Sequence, residues 1–87
     1  MSKAERVSVK IYSRAGCHLC DVAERAIRRS ACSDEIELQV INIDDDPELK
    51  ERYTNDVPVI LVNDEEVARH RLSADEFCRH VRRWKKS

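Results

Sequence analysis

Glycine is almost missing from this chain. Gly16 is the only one in 87 residues, and the prolines number two, Pro47 and Pro58. Low-complexity segments are absent, and each of these three residues marks a specific position. No apolar stretch approaches the roughly 20 residues that cross a bilayer, so no membrane partner is expected. Neither sign of charge prevails: sixteen basic residues face seventeen acidic ones. A polyanionic partner such as nucleic acid is not expected. The local basic run of Arg79, His80, Arg82, Arg83, Lys85 and Lys86 reads as the solvated face of a terminal helix. The charged start, Met1 to Arg6, has no apolar segment behind it, so no secretory signal is read and a cytoplasmic location is expected. In that reducing compartment structural disulfides are rare, and paired cysteines are more often catalytic or metal-binding.

What the chain does have is 41 % hydrophobic and 38 % charged residues. That suits one modest core, a single domain over residues 1–87, and a shallow surface site in place of a deep cavity. A monomer is expected.

Residues Val7 to Ser13 alternate apolar and polar, with Val7, Val9 and Ile11 on one side, a strand period. From Cys17 to about Cys32 apolar residues recur at helical spacing: Leu19, Val22, Ala23, Ala26 and Ile27. Ile36 to Ile43 reads as a second strand. Asp46 as a cap and Pro47 at the first helical position predict a short helix to about Tyr53. Val59 to Val62 is an unbroken apolar run, a buried strand. Asn63-Asp64-Glu65 reads as a hairpin turn into an edge strand, Glu66 to Arg69. Ser73-Ala74-Asp75-Glu76 is a capping box that opens a last helix, with Phe77, Val81 and Trp84 as its core stripe. The order is β-α-β-α-β-β-α. Right-handed crossover makes the first two strands parallel neighbours in a four-stranded mixed sheet with three helices on its two faces.

The chemistry sits in Cys17-His18-Leu19-Cys20. Cys-x-x-Cys between a strand and a helix puts two thiols one turn apart. The first lies at the helix N-terminus, where unpaired backbone N–H groups and the dipole favour a thiolate and lower its pKa. Arg14 and His18 add positive potential. Cys17 is the candidate attacker of a disulfide, and Cys20, inside the first turn, the candidate resolver. The competing reading is a metal or iron–sulfur binding module held through the same two cysteines, and another is a binding adaptor whose cysteines are vestigial. A zinc site normally needs four ligands, and Cys32, Cys78, His18, His70 and His80 are scattered, so no metal ligand is assigned. Cys32 and Cys78 read as structural or incidental. Asp44, Asp45 and Asp46 read as a strand-to-helix turn with a cap.

These residues together resemble the glutaredoxin branch of the thioredoxin superfamily, specifically its short members with a Cys-His-Leu-Cys centre. The resemblance rests on Lys10 to Asp21, on Ile43 to Leu49 and on Val57 to Val62, in family order and spacing. It implies a glutaredoxin-type thioredoxin fold and a dithiol-disulfide oxidoreductase acting on protein or small-molecule disulfides in redox homeostasis and electron transport. It also implies a cis proline at Pro58 and β-type pairing of bound thiol by the Val57 backbone, with Arg14 as the family's basic residue before the first cysteine. No cofactor is implied beyond a thiol reductant, for which glutathione is one candidate. The family's Gly-Gly pair that helps hold glutathione would fall on Ala68-Arg69 and is absent. Ala15 stands where the family often has proline. Thioredoxin proper differs in its Trp-Cys-Gly-Pro-Cys centre and buried acid; the matching strand positions here, Val9 and Ile11, are apolar, so no carboxylate relay is expected.

Overall fold

The computed structural model describes residues 6–84. Lys85 and Lys86 of the basic run, and Met1 to Glu5 of the charged start, lie outside the described residues. Four strands and three helices follow in the order β1 (Val7–Ser13), α1 (His18–Arg28), β2 (Ile36–Asn42), α2 (Pro47–Tyr53), β3 (Val59–Val62), β4 (Glu65–Arg69) and α3 (Ala74–Trp84). The sheet order is β2-β1-β3-β4. β1 runs parallel to β2 and antiparallel to β3, and β3 runs antiparallel to β4. Among the described residues no helix is long and apolar enough to cross a membrane.

Strand alternation sorts the core onto the two faces of the sheet. Val7, Val9 and Ile11 of β1 face the same way as their partners Ile36, Leu38, Ile60 and Val62. They pack against Ala23 and Ile27 of α1 and Phe77, Cys78 and Val81 of α3. The opposite face carries Tyr12, Val59 and Leu61, covered by Ile43, Leu49 and Tyr53 of the α2 region. The rings of Tyr12 and Tyr53 lie 5.2 Å apart and tilted. β3 is therefore buried on both faces, which is why its sequence is an unbroken Val-Ile-Leu-Val. Each fully buried side chain of this kind contributes about 1.5–3 kcal/mol of transfer free energy.

Local chemistry sets the element ends. Asp46 caps α2 by accepting from the N–H groups of Glu48 and Leu49, with Pro47 at the first helical position. The Ser73 hydroxyl accepts from Glu76 N–H at 3.1 Å, and the Glu76 carboxylate accepts from Ser73 N–H at 3.3 Å, a complete capping box at α3. Asn63 and Asp64 take positive φ (51° and 68°), as a two-residue hairpin turn requires. The Asn63 side chain and backbone tie that turn to Ser8 on β1.

Three expectations from the sequence shift. α1 stops at Arg28, not near Cys32, because the Ser30 hydroxyl donates to Ile27 carbonyl at 2.7 Å and takes the place of the next helical turn. Cys32 instead opens a short 3₁₀ turn, Ser33–Glu35. β2 ends at Asn42, whose side chain accepts from Asp44 N–H and starts another 3₁₀ turn at Ile43. Trp84 is not core: it is 48 % exposed and lines an open surface pocket with Glu65, Glu66 and Val67 of β4, whereas Phe77 and Val81 are completely buried.

Candidate functional site

The site is built at the end of β1. Gly16, at φ +77°, turns the chain out of the strand and into α1. A side chain there would meet open space, so it is the backbone angle, not crowding, that calls for glycine. Cys17 is the cap residue of α1, in extended geometry (φ −91°, ψ 107°). Its Sγ accepts a hydrogen bond from Cys20 N–H at 3.1 Å, and its own N–H donates to Arg14 carbonyl at 3.4 Å. The sulfur thus occupies the place that a serine or aspartate oxygen holds in an ordinary cap.

Cys17 and Cys20 are joined as a disulfide with Cα atoms 5.2 Å apart. Cys17 is half-buried and Cys20 is 2 % exposed. His18 and Leu19, between them, both face solvent. The two sulfurs are therefore unequal in access, as expected of residues at the cap and the inner face of one helical turn.

Arg14 does not aim at the cysteines. Its guanidinium pairs with Asp44 at 3.1 Å and donates to Thr54 carbonyl at 3.2 Å. It straps the loop before Cys17 to the segments flanking α2. Asp44, read from sequence as part of a turn, is the anchor of that strap, and Thr54 gave no signal because only its backbone takes part. Val57-Pro58 is a cis peptide bond. Val59 is opposite Tyr12 in the β1–β3 register, so Val57 and Pro58 precede β3 at the same end of the sheet where β1 runs on toward Cys17. Pro58 is buried, and its carbonyl accepts from His70 N–H at 2.7 Å. Val9 and Ile11 are completely buried, and Ser30 is the one buried polar residue among those described, so no carboxylate lies beneath the pair.

An open groove of about 530 Å³ starts at Leu19, which lies between the two cysteines in sequence, although neither cysteine lines it. Leu19 and Val22 of α1 form one wall, and Arg71, Leu72 and Glu76 help form the other. Leu19 and Val22 are 40 % and 46 % exposed. Both belong to the apolar stripe read from the sequence, but only Cys20, Ala23 and Ile27 of α1 turn into the core.

β4 accounts for the missing Gly-Gly pair. Ala68 and Arg69 continue regular pairing with Ile60 and Val59. Arg69 is engaged by Glu66 and by Asp56 at 3.1 Å, and its guanidinium lies over the Tyr53 ring at 5.6 Å. The positive φ in this stretch falls to His70, at 68°.

Cys32 and Cys78 are also joined as a disulfide, 46 residues apart in sequence, with Cα atoms 5.7 Å apart. Sequence spacing gave no hint of this partnership, because it depends on where α1 stops and how α3 lies against it.

Comparison with known proteins agrees with this architecture. Residues 8–82 match the glutaredoxin-like domain (DUF836). The chain is similar to protein Ne2328 from Nitrosomonas europaea, solved by NMR, at 30 % identity over 93 % of this chain and 98 % of that one, with a TM-score of 0.74. It is also similar to protein XcR50 from X. campestris, at 29 % identity over 87 % of this chain and 92 % of that one, with a TM-score of 0.66. Thioredoxin 1 from Thermosipho africanus shares the fold, with a TM-score of 0.62 at 20 % identity over 88 % of this chain and 92 % of that one. No curated protein matches. With a Cys-x-x-Cys pair at the head of α1, a mixed four-stranded sheet and a match over most of its length, the chain belongs to the glutaredoxin-like domain family (DUF836).

Proposed function

We propose that this protein is a dithiol-disulfide oxidoreductase in which Cys17 attacks and Cys20 resolves. The observation that carries the reading is the Cys17 cap: an accessible sulfur that accepts the Cys20 N–H at 3.1 Å at the positive end of α1. In the reduced protein that N–H and the helix dipole favour the thiolate. The Cys17 thiolate attacks one sulfur of a substrate disulfide, forms a mixed disulfide and expels the other sulfur as a thiolate, which takes a proton from solvent. Cys20, once deprotonated, attacks Cys17 Sγ, closes the Cys17–Cys20 bond and releases the second substrate thiol. Two electrons pass to the substrate. A thiol donor then reduces the pair.

The substrate proposed is a disulfide carried on a polypeptide. The groove lined by Leu19, Val22 and Leu72 starts at the residue between the two cysteines and offers a peptide flank an apolar resting place. Val57, at the start of β3, is the proposed backbone partner of that peptide, and His18 the residue that tunes charge beside the thiolate. Arg14 supports the site through its strap to Asp44 more than by meeting an anion. A dedicated glutathione site is not supported at Ala68-Arg69, where Arg69 is already paired. Among the described residues no three of His, Cys, Asp and Glu converge. The proposed setting is the cytoplasm, as a monomer without a cofactor.

Reduction of a disulfide-bearing peptide by the pre-reduced protein tests this. Wild type is expected to oxidise reversibly at Cys17–Cys20. Cys17→Ser should be inactive, and Cys20→Ser should stall as a mixed disulfide visible by mass. The alkylation rate of Cys17 should titrate below the ~8.5 of an ordinary thiol. Unchanged peptide reduction by Cys17→Ser would end the proposal.

A further inference from the structure

We infer that Cys32 and Cys78 form a second dithiol–disulfide couple, a buried cross-link that is separate from the reactive pair and sets the stability of the fold. The two couples sit at opposite ends of α1. Cys17 caps its start, whereas Cys32 follows its end, and the 11 residues of the helix alone span about 16 Å at 1.5 Å each. Direct exchange between the couples within one molecule is thereby excluded. Their surroundings differ as well. Cys17 is half-buried, but Cys32 is 0 % and Cys78 5 % exposed, among Ile27, Ile36, Phe77 and Val81. The Ser30 hydroxyl lies 3.5 Å from Cys32 Sγ and already donates to Ile27 carbonyl. Among the described residues neither sulfur accepts an N–H hydrogen bond as Cys17 Sγ does, so this couple is built to hold and not to turn over.

The cross-link joins the turn after α1 to the middle of α3 and closes a loop of 46 residues. A bond of that span removes much of the freedom of the unfolded chain. The redox step needs an oxidant, and the class proposed is a low-molecular-weight disulfide. Cys78, the more exposed of the two, attacks it and takes up one half as a mixed disulfide, releasing one thiol. Cys32 then attacks Cys78 Sγ and releases the second thiol. Two electrons and two protons leave the protein with those thiols. Both steps wait on local opening of α3 from the sheet, so the couple responds slowly to its surroundings.

The test uses the full chain as Cys17→Ser/Cys20→Ser, so its outcome is independent of the oxidoreductase reading. The reduced variant is incubated with excess glutathione disulfide, unfolded in alkylating agent, and mapped by peptide mass. Expected are a Cys32–Cys78 linked peptide, no alkylated thiol, and a melting midpoint higher than that of the reduced form by on the order of 10 °C. Adding Cys78→Ser should abolish both the link and the shift. In wild type under limiting dithiol, Cys17–Cys20 should open well before Cys32–Cys78. Free Cys32 and Cys78 thiols after oxidation, a mixed disulfide in place of the link, or equal melting midpoints would overturn the inference. Comparing oxidised and reduced forms of one variant removes any dependence on how well each substitution folds, and the wild-type peptide map gives the same answer if the double variant does not fold.

Discussion

At the scale of single residues, chemistry that depends on immediate neighbours was legible and chemistry that depends on distant ones was not. Gly16 and Cys17 fall where the sequence reads a loop and the start of a helix, and the structure sets Gly16 at φ +77° in that loop and Cys17 at the helix cap. Arg14 shows the opposite case. From sequence it belongs with Cys17, three residues on, yet its guanidinium is drawn to Asp44, thirty residues away. Trp84 fits the helical spacing of Phe77 and Val81, but spacing does not say that it is left on the surface beside the edge strand β4. Gly16→Ala follows from the residue scale. The methyl group has room, so the cost is that of holding a left-handed angle without glycine, about 1–2 kcal/mol. Chemical denaturation should show that loss. Peptide reduction should slow, because relief of the angle shifts Cys17 off the cap. An unchanged denaturation midpoint would mean that the loop adjusts freely and does not fix Cys17.

At the scale of elements, the caps explain why the order of strands and helices could be read at all. Asp46-Pro47 and Ser73 to Glu76 are local signals, and the structure uses both as written. The end of α1 is set by one serine hydroxyl turning back to Ile27. Serine is common inside and outside helices, so no pattern marked that stop. With the end of α1 misplaced, Cys32 could not be set against α3 in advance. The apolar stripe of α1 was also readable, but not its division. Ala23 and Ile27 go into the core, whereas Leu19 and Val22 line the groove. A substitution on that outer wall separates the two substrate sizes. Val22→Asp places a charge 46 % exposed at present, so folding should be little affected. It should raise KM for a disulfide-bearing peptide roughly tenfold, the effect of losing one buried apolar contact of about 1–2 kcal/mol. Reduction of a low-molecular-weight disulfide should stay within about twofold of wild type, since that substrate reaches Cys17 without using the groove. Equal loss with both substrates would remove the groove from the reading.

At the scale of the whole molecule, the two faces of the sheet have different fastenings, and pH acts on one of them. The face over α1 and α3 is closed by apolar packing. The other carries Tyr12 and Tyr53 and, at its β4 edge, a set of charges. β4 holds an extra residue between Glu66 and Ala68, where the register shifts. That bulge lets Glu66 and Arg69, three apart, share one side, over Leu61 and Val59. No sequence signal distinguishes such a bulge from an unbroken strand, which is why this pairing was not foreseen. The hydrogen bond from Arg69 holds the Glu66 carboxyl below its ordinary value of 4.5, with burial opposing. A carboxylate depressed in the folded state stabilises the fold fully above its unfolded value, and the contribution disappears as pH falls through the folded one. Lys10 has the reverse sign. Its hydrogen bond to Asp64, at 2.8 Å, raises it above 10.5, so its share is complete below 10.5 and is lost at higher pH. The difference in unfolding free energy between wild type and Glu66→Gln should therefore be flat from about pH 6 to pH 9 and shrink toward zero on acidification through 4.5 and below. Added salt should narrow it at every pH, because the pair is open to solvent. Urea unfolding of the two proteins across pH 3 to 9 reads this directly. A difference that persists unchanged at pH 3 would mean that Glu66 stabilises β4 through packing or strand pairing instead of through its charge.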